Sequence, residues 1–197
     1  MLSKRIYLIN NFISYIVSPF LSFFAITKLS PFFLFISLLI LLVDGRPILF
    51  KSERVGYLGK PFILYKFRSM RNINLEDEKR ITKLGKFLRR SSLDELPQLI
   101  NILKGEMVFV GPRPLPFEIL MENKSKKYQK KRHSVKPGLT GLSQVFSRGA
   151  PRDFYKKLSY DLIYIKKKSI FFDFIIIFMT FKVLKRRFIN NKKGISL

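Results

Sequence analysis

Residues 6–43 form a long apolar stretch broken by Asn10, Asn11, Ser14, Ser18-Pro19, Lys28 and Ser30-Pro31. The run Phe32 to Val43 is too short for a span, which needs about 20 apolar residues. One straight helix from Ile6 to Val43, rising about 1.5 Å per residue, overshoots a bilayer. Lys4 and Arg5 precede the stretch, and Arg46, Lys51 and Arg54 follow it. Positive residues favour the cytoplasmic side, so the pattern predicts a re-entrant hairpin with both ends on that side. Proline removes a backbone bond and supplies the bend. The serine before it can satisfy the freed groups in lipid. A single proline-kinked span and a pair of short spans are the alternatives. A signal peptide does not fit, because the apolar part is too long and no small-residue cleavage site follows.

Beyond this stretch the pattern changes. Residues 48–70 alternate apolar and basic positions around Gly56 and Gly59, which predicts two short strands joined by a turn. Residues 76–105 read as helix-rich, and MVFVGPRPLP (107–116) as a strand ending in a rigid turn. A charged helix is expected over 117–132, a loop with a short extended end over 135–145, and a basic helix over 153–168. Residues 170–184 are nearly all apolar, and Lys185, Arg186 and Arg187 follow. That pattern fits an interfacial helix tethered by its basic end, or else a buried core helix. The expected class is α+β, with an N-terminal membrane segment over 1–47 and a small catalytic domain with few short strands over 48–197.

Composition narrows the partners. There are 38 Lys and Arg against 13 Asp and Glu, a formal charge of +25, yet 47% of residues are hydrophobic and 21 are Phe. A soluble nucleic-acid binder reaches this charge but seldom this apolarity, and no nucleic-acid motif is present. The combination suits an anionic membrane surface, where each nearby Lys or Arg contributes roughly 1 kcal/mol. It also suits a phosphate-bearing ligand. The chain has no cysteine and a single histidine, His133, so thiolate and histidine-cluster metal sites are excluded. His133 reads as structural or phosphate-adjacent.

Against this basic background, RRSSLDELPQLINILKG (89–105) places two adjacent carboxylates, Asp94 and Glu95. Ser92 followed by Glu95 has the spacing of a capping box, and Pro97 suits a first helical turn. The acids can therefore serve a helix N-terminus. They are also placed to hold a metal ion and attack a phosphate, and the two roles are compatible.

Four segments in this order resemble the bacterial sugar transferases, the monotopic phosphoglycosyl transferases. They are SERVGYLGKPFILYKFRSM (52–70), EKRITKLGKFLRRSSLDELPQLINILKGEM (78–107), VGPRPLP (110–116) and RHSVKPGLTGLSQV (132–145). The resemblance implies an enzyme on the cytoplasmic face of the bacterial inner membrane, acting in two steps. An aspartate attacks the phosphorus next to the sugar of a UDP-sugar, and UMP leaves. The phosphosugar then passes to undecaprenyl phosphate, the first membrane step of surface glycan synthesis. The family aspartate falls on Asp94, and the neighbouring acid, associated with Mg2+, on Glu95. Lys66, Arg89 and Arg113 fall where phosphates are contacted, and Arg68 is a further cationic candidate. The membrane helix break falls on Ser30-Pro31, which keeps the family-like spacing to DGRPILF (44–50), rather than on Ser18-Pro19.

The chain departs from the family pattern in places. No aspartate follows Lys4-Arg5, Glu106 stands where aspartate is usual, and the NGRN segment is replaced by Phe146-Ser147-Arg148-Gly149. Gly138 and Gly141 read as turn glycines.

Overall fold

A computed structural model describes residues 2–71, 80–117, 130–147 and 154–192. The charged helix expected over 117–132 lies mostly outside the described residues. The elements in order are α1 (Leu2–Val43), β1 (Leu49–Val55), β2 (Pro61–Phe67), α2 (Lys83–Ser91), α3 (Gln98–Leu103), β3 (Val108–Val110), β4 (Leu115–Pro116), β5 (Gly138–Thr140), α4 (Leu142–Phe146), α5 (Phe154–Lys167) and α6 (Ile170–Lys192). The mixed class and the short strands agree with the sequence reading. Single-turn 3-10 helices lie at Tyr57–Gly59 and Leu93–Glu95.

The N-terminal element departs from expectation. α1 is one uninterrupted helix of 42 residues with Pro19 and Pro31 inside it, so the hairpin is corrected: the chain does not turn back between residues 2 and 43. Two local features explain how the helix continues. Pro31 deprives the Thr27 carbonyl of its N–H partner four residues on, and the Ser30 hydroxyl donates to that same carbonyl at 2.8 Å. In addition, Tyr15, Ser18, Ser22, Ile26, Leu29, Phe33, Ile36 and Ile40 recur at helical spacing as one stripe packed on the rest of the molecule. The stripe holds its phase across both prolines, so tertiary packing outweighs the breaking tendency. The opposite face carries exposed Phe12, Phe20, Phe24, Leu34 and Leu42. Leu8–Val43 is long and apolar enough to cross a membrane.

The serine's contribution can be measured. Ser30→Ala should lower stability in detergent by about 1 kcal/mol by leaving the Thr27 carbonyl without a donor. Adding Pro31→Ala should restore it, because the new N–H takes that carbonyl. A double mutant no more stable than the single would show that Ser30 does not compensate Pro31.

β1 and β2 form an antiparallel hairpin from Leu49 opposite Phe67 to Val55 opposite Pro61, and β4 adds to β1. β3 and β5 pair in parallel. Gly138 and Gly141 are close-approach glycines rather than turn glycines. A Cβ on Gly138 would lie 2.0 Å from the Gly111 nitrogen, and one on Gly141 2.1 Å from the Gly111 carbonyl oxygen.

Among the described residues, three apolar clusters fill the interior. One joins Val110, Val135, Leu142, Tyr164, Ile165 and Ile176, seating α6 on the β3–β5 pair. A second sets Phe62 and Leu64 of β2 against Leu99, Ile102 and Met107 under the middle of α1. The third gathers Ile36, Ile40, Phe67 and Leu88, with Leu93 and Leu96 against it. α6 is neither wholly buried nor amphipathic in the usual sense. Ile176 is buried, while Phe171, Phe174, Phe178 and Phe181 on its outer side are exposed.

Candidate active site

The sequence LDELP is folded by a sharp change of direction. Ser92 ends α2 in the left-handed conformation (φ 59°) and makes no side-chain cap, so the capping box does not form. Leu93, Asp94 and Glu95 then make a single 3-10 turn, whose i and i+3 side chains eclipse. Leu93 and Leu96 pack on the third cluster. That leaves Asp94 and Glu95 on the wall of a cavity of about 1110 Å³. Asp94 is 8% exposed, and Leu96 to Pro97 lead directly into α3.

Glu95 is the electrostatic centre of this wall. Its Oε1 accepts from Lys66 Nζ at 3.0 Å and from the Arg113 guanidinium at 3.3 Å. Lys66 shares the inward face of β2 with Phe62 and Leu64, because strand side chains alternate. Arg113 is held by a loop pinned on both sides. The Gly111 N–H donates to the Thr140 carbonyl, and the Pro112 carbonyl accepts from the Gly138 N–H, both at 2.9 Å. Pro112 and Pro114 stiffen the loop further. Arg89 donates to the Ser69 hydroxyl at 2.8 Å. All five residues expected from sequence, Asp94, Glu95, Lys66, Arg89 and Arg113, therefore line one cavity. Ser30 and Pro31 lie on α1.

Other candidates resolve into structural parts. Arg68 lines the cavity, but its guanidinium is spent on the carbonyls of Asp44, Gly45 and Arg46, clipping the turn after α1. His133 is buried, and its backbone carbonyl accepts from the Leu58 N–H at 2.8 Å. Burial, with nearby Arg132, pushes its pKa down to about 4, so it is neutral and structural.

Two supports were not recognised from sequence. The first is Asn101. β2 is an edge strand, and the Asn101 amide pairs that edge as a strand would. Its oxygen accepts from the Tyr65 N–H at 3.1 Å, and its nitrogen donates to the Ile63 carbonyl at 2.6 Å. The same nitrogen lies 2.7 Å from Glu106 Oε2. This fixes α3, and the acidic turn before it, relative to Lys66. A lone polar residue in the apolar run LINIL was the available signal.

The second support is the buried ion pair of Arg132 and Asp161, 2.6 Å apart. Arg132 also donates to the Arg113 carbonyl. A connected chain thus runs from Asp161 through Arg132 and Arg113 to Glu95.

The arrangement of an acid pair among fixed cations in a wide cavity suits chemistry on a phosphate. Residues 9–187 match the sequence family described as Bacterial sugar transferase. The chain belongs to that family. The transferase is similar to the uncharacterised sugar transferase EpsL of Bacillus subtilis (strain 168), 45% identical over 142 residues and 69% of each chain. It is similar to the exopolysaccharide production protein PSS of Rhizobium leguminosarum bv. phaseoli, 40% identical over 179 residues, 82% of this chain and 89% of that one. It also resembles the UDP-glucose:undecaprenyl-phosphate glucose-1-phosphate transferase of Klebsiella pneumoniae, 40% identical over 166 residues. That match covers 77% of this chain but 36% of the relative, so the transferase spans about a third of that longer protein.

Proposed function

We propose that this transferase moves a sugar 1-phosphate from a UDP-sugar to undecaprenyl phosphate, through a covalent phosphosugar on Asp94. The observation that carries the reading is the placement of Asp94 beside Glu95, Lys66 and Arg113 in one cavity. Relatives named for UDP-glucose, galactose and N-acetylgalactosamine transfer to undecaprenyl phosphate support the donor and acceptor classes.

In the first step an Asp94 oxygen attacks the phosphorus next to the sugar. The phosphorus–oxygen bond to UMP breaks, and UMP leaves with its electron pair. In the second step an oxygen of the lipid phosphate attacks the same phosphorus, and the bond to Asp94 breaks, regenerating the carboxylate. The covalent intermediate divides one difficult transfer into two. Two anions meet in each step, so fixed positive charge is needed where charge builds up. Lys66 and Arg113 contact Glu95, and Arg89 lines the same cavity.

Mg2+ fits this donor set. Among the described residues no group of three or more His, Cys, Asp or Glu gathers. Mg2+ commonly takes one or two carboxylates, with phosphates and waters completing its shell. Glu95 would hold it, with Asp94 adjacent, and the ion would neutralise diphosphate charge.

The cytoplasmic face of the inner membrane is the proposed location. The exposed apolar faces of α1 and α6 would rest in the lipid, and the basic surface would meet anionic headgroups. The α1 stripe argues against a freestanding perpendicular span, since residues 15–40 are tied along the protein.

The test is intact-protein mass after incubation with Mg2+ and a panel of UDP-sugars, without lipid acceptor. The cognate donor should add one phosphosugar and release one equivalent of UMP. Turnover with acceptor but no adduct under any condition would point to direct transfer instead. Detergent rather than high salt should be needed to extract the protein from membranes. Release by salt alone would refute the apolar seating.

A further inference from the structure

The cavity around Asp94 holds positive side chains beyond those its carboxylates engage, and one of them comes from α6. Lys66 and Arg113 are on Glu95, Arg89 is on Ser69, Arg68 is on three carbonyls and Arg132 is on Asp161. Arg187 lines the same cavity, and among the described residues it has no hydrogen bond or ion pair.

Its position on the helix is informative. Arg187 follows Ile176 by eleven residues, about three turns, and so shares its face. Ile176 is fully buried, and Thr180 on the same face lies 2.7 Å from the Thr140 hydroxyl. Lys185, two residues earlier, is exposed. The outward side carries Phe171, Phe174, Phe178 and Phe181. The basic end of α6 is therefore not only an outward tether. One of its charges faces the cavity instead.

We propose that Arg187 binds the phosphate of the lipid acceptor, an assignment that rests on the function proposed above. The donor diphosphate must reach Asp94, and the cations around Glu95 already serve that point. The acceptor phosphate is carried by the membrane and enters from the side on which α6 presents its phenylalanines. Among the described residues, Arg187 is the cavity cation carried by that helix. Its planar fork can grip a phosphate monoester with two bonds while one phosphate oxygen attacks the phosphorus on Asp94.

The experiment uses the full chain in nanodiscs of neutral phosphatidylcholine. Binding of a short-chain polyprenyl phosphate to the Asp94→Asn protein is measured by native mass spectrometry, with and without Arg187→Ala. Arg187→Ala should weaken it roughly tenfold or more, the scale of a lost charged hydrogen bond. Arg187→Lys should recover part of the loss, and Lys185→Ala should change little. In the otherwise unsubstituted enzyme, Arg187→Ala should leave the acceptor-free UMP burst intact and slow adduct decay on adding acceptor. Unchanged lipid-phosphate binding would overturn the proposal, whether or not transfer is seen. So would a UMP burst reduced as much as the acceptor step, which would assign Arg187 to the donor. Equal competition by phosphatidylglycerol would make it a general lipid contact, and equal competition by inorganic phosphate at matched concentration a non-selective anion site. Failure of every UDP-sugar to label Asp94 would sink the parent function while the binding result stood by itself.

Discussion

Asp94→Asn should abolish the covalent phosphosugar and lower UMP release by roughly 10⁴–10⁶-fold, the range seen when a member of a covalent catalytic unit is removed. The substitution keeps size and hydrogen-bonding shape but removes the charge and the nucleophilic oxygen. Asp94 is largely buried in a 3-10 turn anchored by Leu93 and Leu96, so the fold should survive. Matching melting curves for the two proteins would establish that. Glu95→Gln is the instructive companion. It loses one ion-pair partner of Lys66 and Arg113 and should slow turnover while still permitting the adduct. Full transfer by Asp94→Asn would return both acids to a structural role at the turn.

The second large effect concerns stability. Asp161→Ala should cost about 3–5 kcal/mol, because it strands the buried Arg132 guanidinium. In a chain of this size that is a Tm drop on the order of 10 °C. Replacing both partners, Arg132→Met with Asp161→Leu, should recover much of the loss, since a buried pair is often no better than apolar packing. Activity should not recover with it, because the Arg113 carbonyl would still lack the Arg132 donor. Thermal unfolding in detergent, run beside UMP release, separates the two effects. A single mutant within 1 kcal/mol of the parent would mean that water reaches Arg132.

Much of this arrangement could be read along the chain. Strand alternation located β1 and β2, and the motif residues Asp94, Glu95, Lys66, Arg89 and Arg113 line one cavity. What escaped was long-range. Proline propensity pointed to a break in α1, but propensity is local, and the inner stripe from Tyr15 to Ile40 is a tertiary fact. The capping box at Ser92 failed for a related reason. The same serine was needed to end α2 in a left-handed turn, and one residue cannot do both. Asn101, Arg132 and Asp161 read as ordinary polar positions because the distant partners that give them their roles lie between 19 and 38 residues away. Gly111 gives no local sign of its role because the backbones it admits belong to residues 136–141.

The inner stripe of α1 also bears on how this protein can be handled. A common route to a soluble fragment of a membrane enzyme is to cut away its hydrophobic leader and keep the remainder. Here the leader is a wall of the building. Ile36 and Ile40 belong to one core cluster, Ala25, Ile26 and Leu29 cover another, and Ser22 donates to the Leu99 carbonyl in the helix that follows the acidic turn. Cutting after residue 43 would uncover Phe62, Phe67, Leu99 and Ile102 together and loosen the helix behind Asp94. Any reduction of the apolar surface of this fold has to be made on the outward phenylalanines, with α1 left in place.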